Sequence, residues 1–354
     1  MLPLRWATVD WCLRIYILWL GGEVENTILK SLLKEYEKKK YYKELEFEEK
    51  KQEFLNSHEE LKEINNILNK CAIDISKAIL SGNQENIETS KKIYEEKKRI
   101  KEGILNKINF PKDLIEPDYD CKICKDTGYV LNANHKSILC NCIKQKLYNE
   151  QYNKSNIGNL NLQNFSNFNY NVYSEEINKE KYKSNISPRE NIKQIVNISK
   201  KFIDNFDDSS EKNLLFTGNT GLGKTYLSNC IAKELLDKNK TVLYQTAPIL
   251  LDSIIDYRFG KNDNKDFYDE ILNTNLLIID DLGTESLNSL KFTEIFNIIN
   301  SRLLNQNNQI TKTIISTNLS LEDLFKTYDE RIVSRFVGYY NICRFFGDDI
   351  RFKK

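Results

Sequence analysis

Residues 218–225 read GNTGLGKT, which puts Gly218, Gly223, Lys224 and Thr225 at the G-x-x-x-x-G-K-[ST] spacing of a phosphate-binding loop. The chemistry needs these residue types. Glycines let the backbone turn tightly enough for several N–H groups to face one anion, and a helix that starts at the loop adds the positive end of its dipole. Lys224 can reach the β and γ phosphates, and the Thr225 hydroxyl can bind Mg²⁺. Gly218, Asn219, Thr220, Gly221, Leu222, Gly223, Lys224 and Thr225 are therefore the candidate nucleotide-binding residues. The apolar run Leu214–Phe216 ahead of them predicts a buried strand, and the pattern behind them predicts an amphipathic helix over 224–237.

A second apolar run, Leu276-Leu277-Ile278-Ile279, ends in Asp280-Asp281. A buried strand that delivers acids at its end is the Walker B pattern: Asp280 to hold Mg²⁺ and Asp281 to orient or deprotonate the attacking water. A further strand over Thr313–Thr317 ends in Asn318, a polar side chain placed to sit near the γ-phosphate. Arg331 and Arg335 follow on a helical stretch and could touch the nucleotide of a neighbouring subunit.

Four of eight cysteines crowd into residues 121–142. Cys121 and Cys124 form a C-x₂-C knuckle, and Cys140 and Cys142 close the set after fifteen intervening residues. Thiolates so spaced can wrap one tetrahedral Zn²⁺ in a structural site. His135 is a fifth candidate ligand, in place of Cys142 or Cys140. Clustered cysteines favour metal over disulfides and suit a reducing cytoplasm.

The 354 residues allow two or more domains, and a net charge of +1 leaves no whole-chain field for nucleic acid, so such contact needs a local patch. Arg258, Lys261 and Lys265 are the basic residues in view, and each reads first as solvated surface. Residues 1–24 differ in composition from the rest: all three tryptophans lie there, and WCLRIYILWL is apolar but too short to span a bilayer. They read as a misplaced start, with Val24 decoding a GTG codon, or as a disordered leader. From 25 to about 110 the pattern is helical, with Leu61, Ile64, Leu68, Cys71, Ile75 and Ala78 forming one stripe and Ile93, Ile100, Ile104 and Ile108 another. Ser81-Gly82-Asn83 is the turn between them. The expected division is a helical and zinc-binding domain over 25–150, a linker over 151–187 anchored by Phe165, Phe168, Tyr170 and Tyr173, and an α/β domain with a central parallel sheet over 188–354.

Taken together, GNTGLGKT at 218–225, LLIIDDLGTE at 276–285, STN at 316–318, ERIVSRF at 330–336 and FFGDDIR at 345–351 resemble the bacterial helicase-loader family of AAA+ P-loop ATPases, of DnaC and DnaI type. They are also similar to the transposon helper ATPase IstB. CKICKDTGYV followed by CNC resembles the amino-terminal half of DnaI-type loaders. The resemblance implies that Asp281 stands where many AAA+ proteins carry Glu, which suggests slow hydrolysis, with Glu285 assisting. It implies that Asn318 is sensor 1, Arg335 an arginine finger acting in trans within an oligomer, and Arg351 a sensor 2 candidate. A chain that stops at Lys354 would carry no separate helical lid, as in the loaders. The implied cofactors are ATP, Mg²⁺ and structural Zn²⁺. The implied partners are the replicative hexameric helicase, single-stranded DNA and further copies of the chain, in the cytoplasm with no membrane. The alternatives are a transposition helper and a nucleotide-gated binding scaffold with little turnover.

Overall fold

The structure is a computed structural model that describes residues 25–81, 84–108, 111, 114–151, 160, 162–260, 265–285, 289–305 and 310–352. The leader over 1–24, the turn at Gly82-Asn83 and Lys261 lie outside these. The chain divides into two compact units, Met1–Cys140 and Asn141–Lys354.

In the first unit, helix α1 spans Glu25–Asn56, α2 Glu59–Ser81 and α3 Gln84–Lys107. The predicted stripe on α2 is the buried one: Leu61, Ile64, Leu68, Cys71 and Ala78 are covered. Glu59 and Glu60 occupy its first turn, where carboxylates meet the positive end of the helix. Lys101 of α3 donates to Asn65 of α2 at 2.6 Å. The isoleucine row of α3 is less covered than its spacing predicts. Ile93 and Ile100 stay 42% and 41% exposed, because the main neighbour of α3 is one helix, α2, which covers only part of the row. Strands β1 (Tyr129–Leu131) and β2 (Ser137–Leu139) pair as an antiparallel hairpin, which the sequence reading did not anticipate.

The second unit is built on β3 (Asn213–Thr217), β4 (Val242–Thr246), β5 (Leu276–Leu282), β6 (Lys312–Thr317) and β7 (Tyr340–Arg344). They form one parallel sheet in the order β4-β5-β6-β3-β7. Strands covered on both faces read as continuous apolar runs, which is why LLF and LLII looked buried in sequence. Alternate residues serve opposite faces. Leu214, Phe216, Tyr244 and Ile278 pack with helices α5 (Pro188–Asp204) and α6 (Lys224–Asp237). Leu215, Leu243, Leu277 and Ile279 pack with the helices on the other face, named below. Helix α4 (Asn141–Gln151), assigned from sequence to the first domain, packs with the second. Gln145 accepts the Val242 N–H at 2.7 Å and donates to the Val242 carbonyl at 3.0 Å, so it covers the β4 edge.

Helices α7 (Ala247–Arg258), α8 (Lys265–Asn273), α9 (Ser289–Asn305), α10 (Leu321–Thr327) and α11 (Glu330–Tyr339) complete the unit. At the amino-terminal end of the sheet a buried cation ties the chain together. Arg302 of α9 donates to the carbonyls of Ile271, Thr274 and Lys312 and to the Thr313 hydroxyl, at 2.6–3.1 Å. Side chains continue the tie: Asn213 Oδ1 accepts the Thr313 N–H at 2.7 Å, and Asn275 Oδ1 accepts the Thr241 N–H at 2.9 Å. The opposite, carboxyl-terminal end of the strands is left to loops, and in an open parallel sheet that is the end that binds ligands.

Candidate nucleotide site

The phosphate loop leaves β3 at Gly218 and enters α6 at Lys224. Gly218, Gly221 and Gly223 all have positive φ, at 133°, 74° and 89°. Close neighbours add to the need for glycine: a Cβ on Gly218 would lie 2.2 Å from the Phe345 carbonyl oxygen, and one on Gly223 2.5 Å from the Tyr173 hydroxyl. Tyr173 Oη also donates to the Leu222 carbonyl at 3.0 Å, so the aromatic segment before α5 is docked on the loop itself.

The Lys224 ammonium is buried over the loop. It donates to the carbonyls of Gly218 and Asn219 at 2.6 and 2.8 Å and to Asn318 Oδ1 at 2.7 Å. Burial pushes its pKa down to about 8, against the pull of Asp281 and Asp280. Asn318 lies at the end of β6 and turns its amide nitrogen to Asp281 Oδ1 at 3.2 Å. The expected sensor position thus joins the lysine to the second acid of β5.

Asp280 is the hub of the acidic end. Thr225 Oγ1 donates to its Oδ2 at 3.0 Å, and Tyr244 Oη donates to the same oxygen at 2.5 Å. Ser316 Oγ donates to Oδ1, and the Asp281 N–H reaches Oδ1 at 3.2 Å. Thr225 and Asp280, paired in this way, are the hydroxyl and carboxylate expected to share a magnesium ion, and the oxygen-rich donor set fits that hard cation. Ser316 stood within the STN motif, whereas Tyr244 on β4 carried no sequence signal of its role. Asp281 has φ 56°, a left-handed backbone that costs a non-glycine residue energy, and it stands where the β5–β6 register shifts. Burial, with the neighbouring Asp280 charge, raises its carboxyl above the ordinary range. That is the direction expected of a group that is to accept a proton.

Glu285, expected to assist catalysis, has both carboxylate oxygens bonded within the protein. Its carboxylate is 6% exposed, with Oε2 accepting the Gly283 N–H at 2.7 Å and Oε1 accepting Tyr328 Oη at 2.5 Å. Both oxygens are engaged in holding the turn after β5. Arg335 lies on α11, donates to Asn300 of α9 at 3.2 Å, and sits with Arg331 over the Phe296 ring. Arg351 is exposed in a single 3₁₀ turn and forms a bidentate pair with Asp349. Neither arginine has a hydrogen bond to Lys224, Asp280 or Asp281 among the described residues. Arg258 pairs with Glu294 and stacks on Tyr268, a structural placement. A cavity of about 360 Å³ opens beside the loop, lined by Gly218, Asn219, Leu222, Tyr182, Arg344 and Phe346 among others.

The sulfur atoms of Cys121, Cys124, Cys140 and Cys142 all lie within 4.8 Å of one another, with Cys121 and Cys140 3.9 Å apart. Zn–S bonds of about 2.3 Å in a tetrahedron require sulfurs about 3.8 Å apart, so the four thiols fit one zinc ion. Asp126 shapes the knuckle by accepting the N–H groups of Asp120 and Cys121 at 2.9 and 2.8 Å. His135 is corrected out of the set. It is exposed in the β1–β2 turn, with φ 54°, where its N–H bonds the Asn132 carbonyl.

The bacterial DnaA ATPase domain family matches residues 184–341. The replicative helicase loader DnaC of Escherichia coli strain K12 is 26% identical over 138 residues, 39% of this chain and 54% of DnaC. The second unit carries a AAA+ P-loop ATPase fold, similar to the DnaC loaders. The chromosomal replication initiator DnaA of Wolinella succinogenes is 34% identical over 123 residues, 35% of this chain and 27% of that protein. A crystal structure of the DnaC helicase loader superposes with a TM-score of 0.40 at 25% identity, over 50% of this chain and 96% of the other. The chain thus spans about half the length of the DnaC relatives it matches. Among the described residues no helix is long and apolar enough to cross a membrane.

Proposed function

We propose that the chain is an ATP-dependent loader of the replicative DNA helicase, a cytoplasmic ATPase that acts at replication initiation or restart. The observation that carries the ATPase part is the convergence of Lys224, Asn318, Asp281, Asp280 and Thr225 at one end of the parallel sheet. The loop N–H groups and Lys224 bind the phosphates. Thr225 and Asp280 would hold Mg²⁺, which would supply positive charge against the charge that develops on the phosphate. Asp281 takes the water's proton, and Asn318 keeps that carboxylate in place relative to Lys224. Asp281 is one methylene shorter than glutamate, which suits slow turnover.

The loader part rests on the similarity to DnaC over 138 residues and on the four-thiol knuckle that follows the helical segment. In this reading the zinc knuckle is structural, and the residues before it grip the helicase. Arg335 completes the site of a neighbouring subunit, and single-stranded DNA and ATP govern release. Two measurements on the full chain test the reading. Equilibrium binding of a fluorescent ATP analogue should be strong for the wild type and lost for Lys224→Ala; a wild type that fails to bind ends the ATPase reading. Co-purification with the cell's own hexameric replicative helicase should succeed in at least one nucleotide state, and failure in every state ends the loader reading.

A further inference from the structure

The turn after β5 and the arginine-bearing helix α11 are joined through one buried carboxylate. Asp281 begins the turn, and its carbonyl accepts the Thr284 N–H and hydroxyl at 3.3 and 2.8 Å. Gly283 follows with φ 99°, packed so closely on Leu319 that a Cβ would fall 2.7 Å from it. Glu285 then reaches back to the Gly283 N–H and across to Tyr328 Oη. Tyr328 is 3% exposed, and its ring meets Phe292 of α9 edge-on at 5.7 Å. The next residue, Asp329, caps α11 through the Arg331 N–H at 2.7 Å. A buried carboxylate with both oxygens satisfied is stiff, because breaking either bond leaves a desolvated charge unpaired.

We propose that Glu285 is a positioning residue, a strut that fixes the Asp281 turn relative to Tyr328 and, through it, relative to the helix that carries Arg331 and Arg335. The proposal rests on the ATPase reading above. Glu285 takes no proton and touches no phosphate; it sets where Asp281 and α11 stand at the moment of hydrolysis. A strut differs from a chemical acid or base in what replaces it. Glutamine keeps an acceptor for Gly283 and a polar partner for the tyrosine hydroxyl, while alanine keeps neither.

The experiment is steady-state ATP hydrolysis, with fluorescent-nucleotide affinity in parallel, on Tyr328→Phe, Glu285→Ala and Glu285→Gln in the full chain. Tyr328→Phe removes one hydroxyl and leaves the buried ring, and a thermal melt checks that folding is retained. Expected are an affinity within about twofold of wild type and a kcat lowered by roughly tenfold or more for Phe and Ala, the scale of a misplaced reacting group. Glutamine should restore most of the turnover. Tyr328→Phe turning over like wild type overturns the strut, and Glu285→Gln as inactive as alanine overturns it in favour of a chemical role. Wild type without hydrolysis would instead count against the ATPase reading.

Discussion

The Asp349 carboxylate occupies the space that a side chain on Gly221 would need: a Cβ there would fall 2.1–2.2 Å from its carbon and oxygens. The same turn donates the Ile350 N–H to the Gly221 carbonyl at 2.9 Å, and Arg351 holds Asp349 in place from outside. The middle of the phosphate loop is thus backed by residues 349–351.

Gly221→Ala should therefore fail twice. Its φ of 74° costs an alanine about 1–2 kcal/mol, and the methyl must also displace Asp349. Expected are a lower melting temperature and a nucleotide affinity reduced by about tenfold or more. Gly221→Asn separates the two causes, since asparagine accepts positive φ but keeps the clash. If thermal denaturation and nucleotide titration of Gly221→Asn matched wild type, the packing of Asp349 on the loop would be refuted.

Nucleotide affinity should weaken with rising pH. Phosphate binding favours charged Lys224, but burial has already brought its pKa down to about 8. Above that pH the free protein holds a neutral amine, and binding must take up a proton. Affinity is then flat below about pH 8 and falls by up to about tenfold per pH unit above it. Calorimetry in two buffers of different ionisation enthalpy reads the proton uptake directly; no uptake at pH 9 would contradict the sign.

The phosphate loop and the acids of β5 were legible in sequence because their chemistry fixes residue type and spacing together. The α2 stripe was legible because one helix face meets one neighbour. The contacts of Glu285 were hidden for the reverse reason. An acid after Walker B looks catalytic in one dimension, and its true partner, Tyr328, lies forty-three residues on. The Asp349 contact joins residues still further apart, so no local pattern could announce it. Strand β7, YNICR, is short, with two half-buried positions and an exposed arginine, and lacks the continuous apolar run that marked β3 and β5. His135 fitted by type alone; the left-handed turn that carries it leaves it exposed.

The cysteine knuckle predicts a metal count. Elemental analysis of freshly purified protein should give about one zinc per chain. Cys124→Ser or Cys140→Ser should lower it, and chelation should lower the melting temperature of the wild type. His135→Ala should leave the count unchanged, and loss of zinc from that variant would return the histidine to the ligand set.

Arg335 offers a test of shared sites. Arg335→Ala alone should hydrolyse ATP poorly while binding it normally, since the arginine bonds Asn300 and lies over Phe296, and has no hydrogen bond to its own acids among the described residues. Mixing it with Lys224→Ala, which retains the arginine, should recover part of the hydrolysis, because one subunit then supplies the loop and the other the guanidinium. No recovery over a range of mixing ratios would argue that each subunit works alone.

The Arg302 socket gives the sheet two ends of unequal tempo. One guanidinium bonds three backbone carbonyls and a hydroxyl from the chain entering β5 and β6, so the strands cannot fray there one at a time. Amide exchange at Leu276, Lys312 and Thr313 should report a single opening at nearly the global unfolding free energy. Amides of the phosphate loop at the other end should exchange faster than these. Ligand is handled at the carboxyl-terminal end of the strands, and the amino-terminal end serves as the anchor.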